Sequence, residues 1–411
     1  MTAIELAAMA LAFGAILSAM LFRRALPWLL ACAGLALMAA LLFNPARWQL
    51  YPAAPALLFL VLPLLRHARV RRGVPIASAA LAGLSAALAL LFAMPTLPRP
   101  GGPYPVGTAS HGLERPSSDG PRHLYLKIWY PARAAAGRTE GLWRDLAGMS
   151  DIPWYARWGL AYLAHAPTQS HPGAPYAATG RAPSIVLYNH SFVSWASENS
   201  LLAEDLASRG MIVVAVRALG QVDEYRRLDS EATRNPLKPD GADVAVAMDL
   251  IRRRTDDSRF VVANLGKVLS MIPGMPGSRP TTYEAIGFSL GGAVSTGLCA
   301  SDPQCRAVVN IDGAIPGIDY PRLPIPHYLM IYSGANFARV GAVRRGAQGG
   351  YRERVFGQAV HADFHDSAIA IPATRWIFGR SGATLTKERR KVAEMIAQFL
   401  ENAAKDERPA R

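Results

Sequence analysis

Residues 283–292, Tyr-Glu-Ala-Ile-Gly-Phe-Ser-Leu-Gly-Gly, form the most informative stretch of the chain. The first four residues predict a short strand, and residues 293–299 have the composition of a helix. The pattern G-x-S-x-G therefore falls on a strand-to-helix turn, where flanking glycines avoid steric conflict and leave the Ser289 hydroxyl exposed. A glycine-rich loop with an incidental serine is the alternative. The preceding strand, the following helix and the third glycine favour a nucleophile.

Outside this turn, short apolar runs alternate with helical stretches. Strands are predicted at 124–130, 184–188, 211–216, 283–286, 307–311 and 328–332. Helices are predicted at 201–207, 242–251, 293–299 and 387–403. Such alternation predicts a mostly parallel sheet flanked by helices, because parallel strands need crossover connections. The predicted fold class is α/β, an α/β-hydrolase fold over residues 123–411.

A serine nucleophile needs an imidazole to take its proton and a carboxylate to orient that imidazole. In hydrolases of this fold the acid and then the base follow the serine along the chain. Three histidines follow Ser289, namely His327, His361 and His365. We favour His361, which comes directly after the apolar pair 359–360. His327 begins a strand, and His365 is assigned to the surface or to a supporting position.

Asp312 is the favoured acid. It follows the predicted strand 307–311 and precedes Gly313, and catalytic groups of open α/β sheets gather at the carboxyl ends of strands. An aspartate before glycine also forms turns, which is the competing interpretation. Asp302 and Asp319 are weaker candidates in loops.

The oxyanion of an acyl-transfer intermediate needs two backbone N–H donors. One is expected from Leu290, directly after the serine. The other is expected from the loop Asn-His-Ser-Phe at 189–192, which follows the strand 184–188. His190 precedes the serine in the chain, so we expect it to shape this loop or to contact substrate rather than act as the base.

Five segments together resemble the platelet-activating-factor acetylhydrolase group of α/β-hydrolases. They are Trp129-Tyr130-Pro131, Asn189-His190-Ser191-Phe192, the turn 287–292, Ile311-Asp312-Gly313 and His361-x-x-Phe364-x-Asp366. Their order and spacing match that group over about residues 100–400.

The resemblance implies a role for each matched residue. It implies Ser289 as nucleophile, Asp312 as acid, His361 as base, and the amides of Phe192 and Leu290 as oxyanion donors. It also implies ester hydrolysis without calcium, another metal or a cofactor, often on short or oxidised acyl chains. One departure is His190-Ser191, where the group usually has His-Gly, so the pocket there is expected to differ.

The N-terminal 98 residues have a different composition and lie outside that resemblance. They contain one acidic residue, Glu5, no lysine, and apolar runs at 4–22, 25–43, 50–65 and 74–94. A bilayer core of about 30 Å needs roughly 20 apolar residues per helix. We therefore predict an all-α transmembrane region of about four helices at 1–98, followed by a linker at 99–122. The third run is short and proline-containing, which makes it the weakest span.

The first run could instead be a cleaved signal peptide, but its first residues lack the positive charge of one. Since no ionisable residue follows Glu5 within the runs, we expect an anchor rather than a transport path.

Arginines predict the orientation of these helices. The connection after the first run has Arg23 and Arg24, and the one after the third has four arginines between 66 and 72, whereas the remaining connection has only Arg47. The positive-inside rule places the two arginine-rich connections in the cytoplasm. The hydrolase is then extracytoplasmic, on the periplasmic side of a bacterial inner membrane. Were the third run not to cross, the hydrolase would be cytoplasmic.

Composition excludes several classes of protein. Hydrophobic residues make up 51% and charged residues 18% of the chain, which excludes a disordered protein. Three cysteines exclude a disulfide-dense scaffold. The net charge of +14 comes partly from the membrane connections and forms no dense basic block, so no nucleic-acid partner is expected. Cys299 and Cys305 could form a disulfide or remain two buried thiols.

An aromatic cluster lies between residues 142 and 163. Aromatic side chains favour membrane interfaces and line ligand pockets, and they also pack in helical caps. Trp154 and Trp158 are therefore candidate substrate-binding residues, together with His190. The expected partners are an ester substrate, which could be a membrane lipid, and the bilayer; the oligomeric state stays open.

The sequence thus predicts a membrane-anchored serine hydrolase that cleaves carboxylic esters through an acyl-enzyme. An acyltransferase with the same triad and a non-catalytic membrane scaffold are the alternatives, since a fold does not fix a function.

Overall fold

The structure is a computed structural model of the 411-residue chain. It describes residues 3–21, 26–43, 46–65, 73–118, 120–133, 137–180, 182–192, 194–221, 241–277, 280–313, 324–334, 350–378 and 382–405. The chain divides into two compact units. The helical unit comprises Met1–Thr96, Tyr155–Ala166 and Ile369–Gly382, and the sheet unit comprises Leu97–Trp154, Pro167–Ala368 and Ala383–Arg411.

Four N-terminal helices form most of the helical unit. They are α1 (Ala3–Leu21), α2 (Leu26–Phe43), α3 (Ala53–Leu65) and α4 (Gly73–Leu91), with a short 3-10 turn at Trp48–Leu50 between α2 and α3. Alanine and leucine dominate these helices, and both have high helix propensity. Helix α5 (Trp154–Leu160) and helix α11 (Pro372–Phe378) lie farther along the chain, and most of their residues belong to this unit.

Only two of the described helices, α2 and α4, are long and apolar enough to cross a membrane. The predicted number of four spans is therefore corrected to two candidates. Helix α3 has 13 residues, which is about 20 Å at 1.5 Å per residue and falls short of a bilayer core. The apolar part of α1, Ile4–Ala19, is also a shorter helix. Core helices of soluble proteins and signal sequences share these properties, so length and composition alone make α2 and α4 candidates.

One nine-stranded sheet forms the centre of the sheet unit, in the order β3-β1-β2-β5-β4-β6-β7-β8-β9. Its strands are β1 (Val106–Arg115), β2 (Arg122–Pro131), β3 (Ser170–Pro172), β4 (Ile185–Asn189), β5 (Ile212–Ala218), β6 (Tyr283–Phe288), β7 (Cys305–Ile311), β8 (His327–Ser333) and β9 (Tyr351–Phe356). Only the pairs that β2 makes with β1 and β5 are antiparallel. The predicted α/β class and the mostly parallel sheet are confirmed.

Helices pack on both faces of this sheet. They are α6 (Ser200–Ser208), α7 (Gly241–Ala263), α8 (Leu265–Ser270), α9 (Leu290–Ala300), α10 (Ser367–Ala370) and α12 (Gly382–Lys405). Consecutive residues of the central strands enter different hydrophobic cores: Val213 belongs to one core and Val214 to the other. This double burial explains why the parallel strands have continuous apolar sequences.

The region predicted as a linker, 99–122, contains strand β1. This strand pairs with β2 from Val106 to Arg115. Its sequence, Val-Gly-Thr-Ala-Ser-His-Gly-Leu-Glu-Arg, has few large apolar residues, and this explains why no strand was predicted there. At the opposite edge, β9 is also polar and was not predicted.

Cys299 and Cys305 form a disulfide, with Cα atoms 5.1 Å apart. The bond joins the last turn of α9, which begins after Ser289, to the start of β7, which precedes Asp312. Of the two alternatives left open by the sequence, the structure therefore has the disulfide.

Candidate active site

Ser289 lies on a strained turn between β6 and α9. Its φ of 55° and ψ of −124° are unusual for a residue with a side chain, as expected for a nucleophile turn. Neighbouring glycines permit the turn. A Cβ on Gly287 would lie 1.9 Å from the carbonyl oxygen of Gly291, and one on Gly291 would lie 2.0 Å from that of Asn189. Neither position has room for a side chain.

Three side chains chosen from the sequence lie together in one hydrogen-bonded chain. The Nε2 atom of His361 is 3.0 Å from the Oγ atom of Ser289. Its Nδ1 atom is 2.6 Å from the Oδ2 atom of Asp312. In this arrangement the imidazole can accept a proton from the hydroxyl while the carboxylate fixes its tautomer and orientation. The other candidates, His365 and Asp302, lie outside this chain, and Asp319 lies outside the described residues.

Asp312 is held at the carboxyl end of β7. Its Oδ1 atom accepts a 2.7 Å hydrogen bond from the backbone N–H of Ser333, and its φ of 53° turns the chain sharply before Gly313. Burial alone would raise the pKa of Asp312, because it favours the neutral acid. The hydrogen bonds from His361 and Ser333 outweigh it and hold the pKa of Asp312 below its usual range. The group is therefore a carboxylate at neutral pH, as its orienting role requires.

The His361 ring faces solvent on one side. The side chain is 45% exposed, and its ring stacks on Phe288 with centroids 4.8 Å apart. Phe288 is the last residue of β6 and is buried. The stacking fixes the plane of the imidazole next to the serine, while the exposed edge leaves access for a reactant.

The expected oxyanion donors lie on two elements. Leu290 is the first residue of α9, and Phe192 lies in the loop after β4 with its side chain 41% exposed. Glu198 fixes this loop. It is buried and accepts hydrogen bonds from the backbone N–H of Ser191 (2.7 Å), the Ser191 hydroxyl (2.5 Å) and the Tyr188 hydroxyl (2.8 Å). Ser191 is thus part of the loop's internal hydrogen bonding.

His190 is an interior residue, and its contact with substrate stays a prediction. Its side chain is buried and its Nδ1 atom lies 2.7 Å from the carbonyl oxygen of Ser191. Burial, together with the nearby Arg254 and Arg217, lowers the pKa of His190 well below its usual range. Arg254 donates to the carbonyl oxygens of His190 and Ser191. The neutral ring supports the loop, as the alternative interpretation of the sequence had it.

His365 is also buried, behind the base. Its ring lies 5.6 Å from Trp143, 5.8 Å from Trp195 and 6.2 Å from Phe288, measured between centroids. Burial, with Arg389 and His361 nearby, lowers the pKa of His365 to about 3. Its 3.7 Å approach to Glu198 is therefore a contact of a neutral ring and not a salt bridge. The residue links the loop of the base to the carboxylate that fixes the oxyanion loop.

Sequence reasoning missed Glu198 and Arg254. Neither residue lies in a recognisable motif. Glu198 is seven to ten residues from its partners at 188–191, and Arg254 is more than sixty residues from the carbonyl groups to which it donates. A buried charged residue beside a predicted oxyanion loop has no signature in a single sequence.

The two remaining candidates, Trp154 and Trp158, are exposed. Their side chains are 71% and 48% exposed; Trp154 ends a segment of the sheet unit, and Trp158 belongs to the helical unit. Among the described residues, no group of three or more His, Cys, Asp or Glu is placed to hold a metal ion.

The fold is shared with a solved esterase. The ferulic acid esterase from Streptomyces cinnamoneus superposes with a TM-score of 0.54 at 21% sequence identity, covering 74% of this chain and 91% of that one. At this identity the likeness establishes the fold alone. Neither a family model nor a curated protein matches the chain.

Proposed function

We propose that the chain is a membrane-anchored serine hydrolase that cleaves carboxylic esters. The observation that carries the proposal is the hydrogen-bonded series Ser289–His361–Asp312, with the serine on a strained turn. The shared fold with a ferulic acid esterase supports ester hydrolysis in general terms.

In the proposed reaction the Ser289 oxygen attacks the acyl carbon and His361 takes the hydroxyl proton. The amides of Leu290 and Phe192 stabilise the negative oxygen of the tetrahedral intermediate. The intermediate collapses to an acyl-enzyme, and the alcohol leaves with the proton from His361. Water, deprotonated by the same imidazole, then releases the carboxylic acid.

We further propose short or oxidised acyl chains as substrates, on the resemblance to the platelet-activating-factor acetylhydrolase group. We propose residues 1–98 as a membrane region with at least the two spans α2 and α4, and residues 123–411 as the hydrolase. Arginines precede both α2 and α4, so by the positive-inside rule both helices leave the cytoplasm and the chain has to return between them through the short helix α3; on this topology the hydrolase is extracytoplasmic. The disulfide Cys299–Cys305 supports the same side, because such bonds persist in oxidising compartments.

A fluorophosphonate probe tests the function. We expect the purified full-length chain to be labelled and the variant Ser289→Ala to remain unlabelled. The variant Ser295→Ala, at a buried serine one turn and a half along α9, serves as a matched control that keeps the nucleophile. A folded wild-type chain that takes up no label would refute the hydrolase and favour a binding role.

A further inference from the structure

The helical unit contains an aromatic cluster built from two distant parts of the chain. Trp48, in the turn between α2 and α3, lies 5.2 Å from Trp158 of α5 and 5.3 Å from Phe92 after α4, measured between ring centroids. Tyr51 lies 6.4 Å from Trp158. The Trp48 indole also donates a 2.9 Å hydrogen bond to the carbonyl oxygen of Gly159. The segment that begins at Tyr155 is therefore packed within the helical unit, although the sequence placed it in the hydrolase.

A buried ion pair shows which helix ends meet there. Arg47 contacts Glu5 at the start of α1 (2.6 Å) and donates to the carbonyl oxygen of Phe92 at the end of α4 (2.7 Å). It also lies 5.4 Å from the ring centroid of Tyr162. The start of α1, the α2–α3 turn and the end of α4 thus lie at one end of the helices.

The arginine-rich connections belong to the other end. Residues 22–25 join the end of α1 to the start of α2, and residues 66–72 join the end of α3 to the start of α4. These connections contain six arginines. At the aromatic end Arg47 is fully buried, and Arg157 of α5 is half-buried. In the sequence the connections at the opposite helix ends thus have more arginines than the aromatic end, which is the asymmetry that the positive-inside rule describes.

Aromatic rings at this end remain partly exposed: Tyr51 and Trp158 of the cluster, and Tyr155, which lies three residues before Trp158 on α5. Tyr51, Tyr155 and Trp158 are 44%, 62% and 48% exposed. Tyrosine and tryptophan combine an apolar ring with a polar atom, and this combination favours the headgroup region of a bilayer over both water and the hydrocarbon core.

We infer that Trp48, Tyr51, Tyr155 and Trp158 form an interfacial belt that contacts lipid headgroups at the extracytoplasmic end of the helices. The inference rests on the proposed membrane association and adds to it that a segment from within the hydrolase sequence touches the bilayer. The belt fixes the depth of the helical unit and makes lipid its binding partner at this end.

Depth-dependent fluorescence quenching tests the belt. The full-length chain with Cys32→Ser carries a single bimane label at Tyr155→Cys, and the native disulfide protects Cys299 and Cys305 from labelling. Leu35→Cys, 61% exposed on α2, reports on the hydrocarbon core, and Ser270→Cys, exposed on the sheet unit, serves as a reference. Each is reconstituted in phosphatidylethanolamine–phosphatidylglycerol vesicles that contain either a headgroup-linked or a mid-chain nitroxide lipid.

We expect the label at 155 to be quenched severalfold more by the headgroup nitroxide, and the label at 35 more by the mid-chain nitroxide. Quenching at 35 without quenching at 155 would refute the belt and leave the membrane association intact. Stronger mid-chain quenching at 155 would also refute an interfacial position. No quenching at 35 by either lipid would refute the membrane association itself. A second label at Tyr51→Cys repeats the test should Tyr155→Cys fail to fold.

Discussion

The two units expose opposite kinds of surface. Several large apolar side chains of the helical unit are more than half exposed: Leu6, Trp28, Leu35, Leu42, Phe43 and Leu65. In the sheet unit the largest comparable values among described residues are 71% for Trp154 and 47% for Leu219. Soluble proteins rarely expose contiguous apolar patches. The helical unit is thus suited to an apolar surrounding and the sheet unit to water, and the average composition of the chain describes neither.

The two units also differ in their buried charged residues. In the helical unit the pair Glu5–Arg47 lies at the ends of the helices. The sheet unit buries many carboxylates, among them Glu198, Glu204 and Asp312. A buried charge needs partners, since its desolvation is costly, and the sheet unit provides them around the candidate site. The comparison predicts that changes of charge alter chemistry in the sheet unit and stability in the helical unit.

The largest effect is expected at Asp312. Removal of the orienting carboxylate lowers kcat about 10⁴-fold in serine proteases, because the imidazole adopts the wrong tautomer. We expect Asp312→Asn to lower ester hydrolysis by a similar factor while the fold persists. Activity is measured on a soluble chromogenic ester, with Asp256→Asn, a half-buried residue paired with Arg259, as the matched control. Near-normal hydrolysis by Asp312→Asn would mean that another group orients His361.

In the helical unit the corresponding change is Arg47→Met. It removes a positively charged partner from the buried Glu5, and the loss of one member of comparable buried pairs costs about 3–5 kcal/mol. We expect a lower unfolding temperature in detergent micelles. The double variant Glu5→Leu with Arg47→Met should recover most of the loss, because it removes both buried charges. A single variant as stable as the wild type would show that the pair does not stabilise this end of the helices.

Glycine-to-alanine changes should have opposite signs in the two units. Gly291→Ala forces a Cβ to within 2.0 Å of a backbone oxygen, and such overpacking costs about 1–3 kcal/mol or more. Gly83 in α4 has no atom within 4 Å of the equivalent position, so Gly83→Ala should stabilise its helix by up to about 1 kcal/mol. Thermal unfolding of both variants checks the contrast, and equal shifts would contradict it.

A further effect is a pH dependence of stability that comes from Glu204. Burial raises its pKa to about 7, and hydrogen bonds from Ser170, Thr168 and Gln169 only partly oppose this. Because the folded pKa lies above the unfolded value of 4.5, stability is fully present below that value and falls as pH rises to about 7. The slope is at most about 1.4 kcal/mol per pH unit.

We expect Glu204→Gln to reduce this slope, with a remainder from Asp366, whose pKa burial also raises to about 7, and Glu401→Gln, at an exposed position, to leave it unchanged. The free energy of unfolding of both variants is measured with denaturant at pH values between 4.5 and about 7. An unchanged slope in Glu204→Gln would assign the dependence to another group.

Local patterns predicted much of the sheet unit. The six predicted strands correspond to β2 and β4–β8, because double burial requires apolar runs that are visible in the sequence. The motif around Ser289 and the chain order selected Asp312 and His361, and the structure brings all three within hydrogen-bonding distance. Their catalytic roles stay predictions until the labelling and activity tests.

The rest depends on contacts between distant residues. Strand β1 has too few apolar residues to be recognised, and its strand character comes from pairing with β2. Arg254 supports the predicted oxyanion loop from helix α7. Its partners Ser191 and His190 are 63 and 64 residues earlier in the chain, so this contact exists only in the folded structure. The third run, 50–65, was counted as a span because it includes apolar residues before α3, which begins only at Ala53.

The helical unit includes two segments from farther along the chain, Tyr155–Ala166 and Ile369–Gly382. This limits where the chain can be truncated. A fragment that begins at residue 99 keeps these two segments but loses the helices on which they pack. Tyr162, fully buried in the intact chain, would then lose Arg47, and Trp158 would lose Trp48. Such a fragment would expose apolar surface that is buried in the intact chain, and we expect it to aggregate. The helical unit and the sheet unit are therefore interleaved in the chain and have to be produced and purified as one piece.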